Sequence, residues 1–410
     1  MFNYNSIVLP NGIKLISIKK DTGVVSVHMG MKIGPLYEKR SQKGISHFIE
    51  HMLYKGTGSR TNEGLNSDLE NLGGEYNAYT DHNCTVYSAT ALCSEVDSIL
   101  DIFSDMVQNS TFPEEEIIKE KEVILSEIRC GRDDLEQYSF KRINEIAFKH
   151  SPLKYETIGE SKTIKKFGRE ELLDFYKSCY VPNNCCISIV SPYEHEFVKE
   201  LVMEHFGGWT ARELKVGDVA FEKNIPVVET SYKKNIEQST ILYLFTFHGI
   251  SKQEEMALKV FNHKFGESSN SILFRELRED RGLAYDVYTH LDLTKNVKTL
   301  YIYTAVGEDN VQEAIDTIES CISRVKNEEI VFDENTIQLM KKVMNTAVAF
   351  TLEDSTDIGN YVLHQLIEDE SVLEFVEDME RLEGIKKEDI YDIAVKILDK
   401  PTIHILKNED

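Results

Sequence analysis

Apolar and polar positions change period along this chain, and the changes mark its elements. Residues 6–8, 14–18 and 24–31 are rich in Ile, Val, Leu and Met and predict strands, with Pro10-Asn11-Gly12 turning between the first two. From 44 to 56 the pattern shifts to helical spacing: Ile45, Phe48, Ile49, Met52 and Leu53 form one apolar stripe. A second helix is predicted over 62–72, closed by Gly73-Gly74. Residues 75–80 and 85–92 predict paired strands, with a turn at 81–84. Helices over 94–109, 114–128, 137–150 and 169–178 follow. The helix at 114 opens on Pro113 and Glu114-Glu115-Glu116, charge suited to a helix N-terminus, and Gly131 lies beyond its end. A strand over 185–190 and a helix over 194–205 complete the first half.

Residues 211–235, with Lys215-Val216-Gly217-Asp218 and Pro226, break these periods and predict a linker. An apolar strand over 240–247 opens the second half. The halves resemble each other: Leu69 to Thr80 matches Leu277 to Thr289 with one insertion, placing Tyr76 on Tyr285 and Ala78-Tyr79-Thr80 on Val287-Tyr288-Thr289. Each match is followed by a strand with a Thr-Ala pair, Thr90-Ala91 and Thr304-Ala305. The expected organisation is therefore a domain over 1–210, a linker over 211–235 and a homologous domain over 236–410. A length of 410 residues agrees, being too great for one ordinary core.

Composition narrows the function classes. The formal charge is −24, which disfavours nucleic acid and anionic membranes and would suit basic or neutral peptides. No apolar run approaches the roughly 18 residues of a membrane span. The start, Met1-Phe2-Asn3-Tyr4-Asn5, has neither a basic region nor an apolar core, so a cytoplasmic, bacterial protein is expected. The seven cysteines lack zinc-ribbon spacing and are expected as reduced thiols.

The chemistry is concentrated in His47, Phe48, Ile49, Glu50 and His51, which spell H-x-x-E-H. His47 and His51 stand one helical turn apart, opposite the apolar stripe, where two imidazoles can grip one zinc ion. A carboxylate beside them can take a proton from water at the metal; this is the metallopeptidase arrangement in reverse order. Catalytic zinc needs a third protein ligand and an open position. The helix predicted over 114–128 offers Glu120, Glu122 and Glu127. Glu120 and Glu127, seven apart, share a face on the shoulder of the apolar stripe, where a carboxylate must be paired or bind a cation. Spacing alone does not choose among the three.

H-x-x-E-H followed by Glu120-Lys121-Glu122-Val123-Ile124-Leu125-Ser126-Glu127 resembles the inverzincins of the pitrilysin and mitochondrial-processing-peptidase family, peptidase family M16. In that family the third ligand is a glutamate about 76 residues past the second histidine, and 127 − 51 = 76. The resemblance implies His47, His51 and Glu127 as ligands of one zinc per chain and Glu50 as base. Glu120 matches an acidic residue kept one heptad before the ligand as its support. Gly73-Gly74-Glu75-Tyr76-Asn77-Ala78-Tyr79-Thr80 resembles the edge strand on which the family docks substrate backbone, implying Asn77 and Ala78 as binding residues. Phe274 to Tyr285 resembles the C-terminal signature, whose Arg and Tyr, here Arg278 and Tyr285, reach the substrate near the zinc; Tyr285 would also steady the oxyanion. The stretch Phe265 to Leu273 departs from the family, with few glycines and Ile272 where Arg is common, so no loop contact is carried over from it.

What the resemblance implies is an α+β fold: two homologous α/β sandwich domains, each a mostly antiparallel sheet covered by helices, forming half of a clamshell chamber. The implied activity is zinc endopeptidase action on short unstructured peptides or N-terminal extensions, in a homodimer, with no nucleic-acid or membrane partner. Two alternatives stand beside it. A non-catalytic scaffold would ordinarily have lost metal ligands, and all are present. A subunit of a heterodimeric peptide-maturation protease would ordinarily split the motif and the Arg/Tyr pair between chains, and both are here.

Overall fold

Eleven strands form among the described residues, the central ones where β-branched and aromatic residues face two packed layers. The computed structural model describes residues 2–212, 214 and 219–409; Lys215-Val216-Gly217-Asp218, read above as part of a linker, lie outside them. Contacts divide the chain into two units. Unit 1 comprises Met1–Arg129, Tyr155–Asp218 and Ala347–Glu374; unit 2 comprises Cys130–Lys154, Val219–Thr346 and Phe375–Asp410. Each unit thus takes a segment from the other half of the sequence.

Unit 1 is built on six strands: β1 (Asn3–Val8), β2 (Lys14–Lys19), β3 (Val24–Met31), β4 (Glu75–Thr80), β5 (Thr85–Leu92) and β6 (Cys185–Ser191). Their order is β1-β2-β6-β3-β5-β4, antiparallel except for β2 beside β6. One face packs on α1 (Ile45–Leu53), α2 (Asn62–Asn71), α3 (Val96–Asn109), α4 (Glu114–Asp133), α6 (Ser161–Ile164), α7 (Arg169–Cys179) and α8 (His195–Phe206); α5 (Leu135–Ala147) belongs to unit 2. The other face is covered by α13 (Ser355–Glu368), whose Ile358, Val362, Leu363 and Ile367 meet Ile16, Ile18, Val86 and Val190. Gly359 permits the approach, since a Cβ there would lie 2.7 Å from Cδ2 of His28.

Unit 2 repeats the plan. Its sheet joins β7 (Val228–Lys233), β8 (Ser239–Thr246), β9 (Ala284–Asp292), β10 (Thr299–Val306) and β11 (Thr402–Asn408) in the order β7-β11-β8-β10-β9, with only β7 and β11 parallel. Its core gathers α9 (Lys252–Asn262), α10 (Ile272–Phe274), α11 (Val311–Lys326), α12 (Glu334–Glu353, whose last residues pass to unit 1), α14 (Glu374–Glu383) and α15 (Lys387–Ile397). Helix α5 packs on β8 and β11. The fold is therefore α+β, two mostly antiparallel sheets each covered by helices. Among the described residues no helix is long and apolar enough to cross a membrane.

Two local expectations change, and the two repeats differ in one detail of register. Strand β7 lies inside the stretch read as linker; its alternating exposure is that of a short edge strand, with little apolar signal. Helix α4 runs past Gly131 to Asp133, because a glycine stops a helix through a left-handed φ and Gly131 has none. The break comes at Asp134, whose side chain accepts Gln137 N–H and caps α5. The two Thr-Ala pairs also differ in register: Thr90 faces Glu75, whereas Thr304 faces Val287.

Candidate metal centre

Helix α1 starts on Gly44, held at φ 94° with no side-chain cap of its own. A carboxylate from upstream replaces the cap. Glu38 Oε2 accepts Gly44 N–H at 2.9 Å and Oε1 accepts Ser46 N–H at 2.8 Å, satisfying two of the helix's free donors. Burial raises the Glu38 carboxyl's proton affinity, against those N–H groups and the Lys43 charge. Lys43, also buried, donates to Pro35 O at 2.5 Å. Ile45, Phe48, Ile49, Met52 and Leu53 are wholly buried, as the stripe predicted. That anchors the helix and turns His47, Glu50 and His51 to its half-buried side.

Helix α4 buries Ile117, Ile124, Leu125 and Ile128 and brings its glutamates past α1. The three candidates separate here. Glu122 is exposed. Glu120 is buried; its Oε2 meets His51 Nδ1 at 2.9 Å and its Oε1 the Lys55 ammonium at 2.8 Å. Glu127 faces both imidazoles, its Oε2 4.0 Å from His47 Nε2 and 3.9 Å from His51 Nε2. One ligand atom each from His47, His51 and Glu127 lies within 4.8 Å of the others. Tetrahedral zinc with bonds of about 2.0–2.2 Å sets its ligand atoms roughly 3.4 Å apart. The Glu127 oxygen is thus about half an ångström farther from each imidazole nitrogen than such a set requires.

The electrostatics of the two imidazoles differ. Burial, helped by the nearby His51, lowers the His47 pKa to about 4, so the ring is neutral and its lone pair is available. For His51 burial pulls the pKa down, but the Glu120 bond and the charges of Glu127, Glu50 and Glu120 together raise it. For Glu120 burial pushes up, and the His51 and Lys55 bonds bring it below the usual range. A histidine donating Nδ1–H to a carboxylate presents Nε2 to a metal, the usual outer support of zinc ligands. His47 lacks such a partner: its Nδ1 is buried without one among the described residues. Packing orients it instead, including edge-on contact with His51 at 4.6 Å between ring centres. Glu50 Oε2 accepts the Thr80 hydroxyl at 2.5 Å. Burial raises the Glu50 carboxyl, and the Glu127 charge adds to this, while Thr80 and His51 oppose it.

Asn77 and Ala78 lie on β4, the edge strand of the first sheet, which pairs only with β5 among the described strands. Asn77 is exposed, and its Oδ1 accepts Ala78 N–H at 2.9 Å. Arg278 and Tyr285 meet within unit 2. The guanidinium lies 4.9 Å from the Phe274 ring centre and 5.1 Å from that of Tyr285, a stacked cation–π arrangement. Tyr285 is the second residue of the edge strand β9 and is 75% exposed. Sequence reasoning passed over Lys55, Thr80 and Glu38. Lys55 was within reach, one turn beyond His51 on the same face. Thr80 acts through tertiary contact and Glu38 through a short loop contact, and neither left a periodic signal.

Two family models match: "Insulinase (Peptidase family M16)" over residues 14–161, which contain His47, His51 and Glu127, and "Peptidase M16 inactive domain" over 166–344. An uncharacterized zinc protease of Rickettsia bellii is similar at 30% identity, covering 96% of this chain and 95% of its own length. The mitochondrial-processing peptidase subunit beta of Caenorhabditis elegans is 25% identical over 88% of this chain and 79% of its own. In fold, the chain is similar to the crystal structure of a protease from Helicobacter pylori, with TM-score 0.92, 20% identity, and 99% and 100% of the two chains covered. Likeness to a zinc protease along nearly the whole chain, with M16 models spanning both halves, makes this chain a member of peptidase family M16.

Proposed function

We propose that this chain is a zinc-dependent endopeptidase acting on short unstructured peptides or N-terminal extensions. One observation carries the reading: two imidazole nitrogens and one carboxylate oxygen from separate helices converge within 4.8 Å. His47, His51 and Glu127 would hold one zinc ion per chain. When bound, the ion supplies Lewis acidity toward the peptide carbonyl and the attacking water. Glu50, beside the ligands, takes the water's proton and passes it to the leaving amine. Glu120 holds the His51 ring in the metal-binding orientation, and Lys55 holds Glu120.

An extended peptide is proposed to add to the open edge of β4. The Asn77 side chain already fills one backbone donor there, as a peptide carbonyl would. Arg278 and Tyr285 are proposed to grip the peptide and to steady the oxyanion; stacking keeps the guanidinium beside an exposed phenol. Completeness of the ligand set speaks against a pure scaffold, and the presence of motif and Arg/Tyr pair in one chain speaks against a partner-dependent subunit. A homodimer is part of the proposal and is read by light scattering.

The test is the purified chain alone on a quenched peptide library, with zinc content measured. Cleavage that stops with a chelator and returns with zinc is expected. Glu50→Gln should lose at least about 100-fold in kcat with zinc content unchanged. Full turnover in that variant would remove the base assignment, and no metal uptake by the wild type would remove the reading altogether.

A further inference from the structure

We propose that Thr80 is a positioning residue for Glu50, fixing which carboxylate oxygen faces the reacting water. This rests on the reading of Glu50 as the base. A glutamate terminal torsion is broad and nearly two-fold, so a half-buried carboxylate beside two imidazoles has no orientation of its own. The Thr80 hydroxyl supplies one. It donates to Oε2 at 2.5 Å, which leaves Oε1 as the oxygen free to accept a proton.

The hydroxyl is itself held in place. Alternate β4 residues face opposite ways. Tyr76 lies tilted against Tyr54 at the end of α1, with ring centres 6.5 Å apart, and Thr80 reaches Glu50 on the same side. Tyr79 turns to the other face, where its hydroxyl bonds Asn360 Oδ1 at 2.8 Å and His364 Nε2 at 2.7 Å on α13. Thr80 pairs with Thr85, and Asp81 N–H to Cys84 O at 2.8 Å closes the turn just beyond. The end of the proposed docking strand is therefore clamped from both faces. A β-branched residue on it has little χ1 freedom. A peptide laid along β4 would meet a base whose orientation that same strand has set.

The test uses the full chain with Thr80→Val and Thr80→Ser beside Glu50→Gln; Thr80→Ala replaces the valine variant should that one not fold. Crystal structures of the variants read the Glu50 carboxylate without any turnover. In Thr80→Val the carboxylate is expected to rotate or to spread over more than one orientation, and in Thr80→Ser to stay. An undisturbed Glu50 in Thr80→Val overturns the proposal. On a quenched peptide, kcat should fall on the order of tenfold or more in Thr80→Val and recover to within a few-fold in Thr80→Ser, with KM and zinc content held. Equal loss in both variants, or loss in KM alone, also overturns it. Wild-type turnover by Glu50→Gln would instead defeat the base assignment, and the crystal structures would still decide whether Thr80 orients Glu50.

Discussion

Glu120 and Glu127 are the same residue type on one helix, two turns apart, and their surroundings give them different work. Glu127 faces two imidazoles across about 4 Å, a gap an ion would close. Glu120 is buried against His51 and Lys55, which already satisfy it. Removing Glu120 should therefore spare the ligand count but free the His51 ring. For Glu120→Ala we expect zinc affinity to weaken about 10- to 100-fold, read by competition with a chromophoric chelator, with far-UV dichroism unchanged. Affinity equal to wild type would show that Glu120 does not support the site. The H-x-x-E-H face was legible because helix pitch alone puts His47 and His51 together. The choice of Glu127 as the proposed third ligand came from resemblance, because helical spacing leaves Glu120 and Glu127 equivalent and only packing against α1 separates them.

At the scale of elements, α1 is set by a residue just upstream of it and β4 by a helix distant in sequence. The N-terminus of α1 is capped by Glu38, and the end of β4 is tied to α13 through Tyr79. Helix α13 holds its sheet with aliphatic side chains, each contributing about 2 kcal/mol when buried. Leu363, fully buried among Ile16, Val86 and Val190, is the place to test this. Leu363→Ala should cost about 3 kcal/mol of stability through the lost burial and the cavity left behind, measured by urea denaturation. A loss below about 1 kcal/mol would mean that α13 is not part of the folded core of unit 1. The longer strands and helices of the first half were legible to within about five residues, since each carries its own period; the four-residue α6 was not predicted. Strand β7 was not, because an edge strand with alternating polar residues has almost no apolar signal.

Over the whole chain, each unit buries a histidine on the sheet face covered by its exchanged helix. His28 of β3 lies under α13, with Ser26 Oγ at 3.0 Å, His364 nearby and Gly359 against the ring. His404 of β11 lies under α5, with Ser231 Oγ at 3.0 Å and Arg142 nearby. Burial lowers both pKa values from 6.5 to about 4; the charge of His364 adds for His28 and that of Arg142 for His404. Between about 4 and 6.5 the unfolded chain binds protons that the folded chain refuses. Stability is then complete above about 6.5 and declines as pH falls toward 4. At pH 5.5 the loss should be about 1 kcal/mol per histidine. Urea midpoints at pH 7.5 and 5.5 should therefore fall further for the wild type than for a His28→Gln/His404→Gln double variant. Equal falls would rule the two histidines out as the cause.

By itself the sequence determined what is periodic or local: the strand and helix types, the paired imidazoles with their carboxylate, and, through family likeness, the 76-residue step to Glu127. These follow from helix pitch and strand alternation, which any short segment obeys alone. Tertiary structure decided what depends on distant segments packing together. It left Glu122 in solvent, gave Glu120 to His51, brought Thr80 to Glu50, and passed α5 and α13 between the two halves of the chain. Such contacts arise from burying whole faces against one another, a free energy shared over many residues that no single stretch of sequence displays.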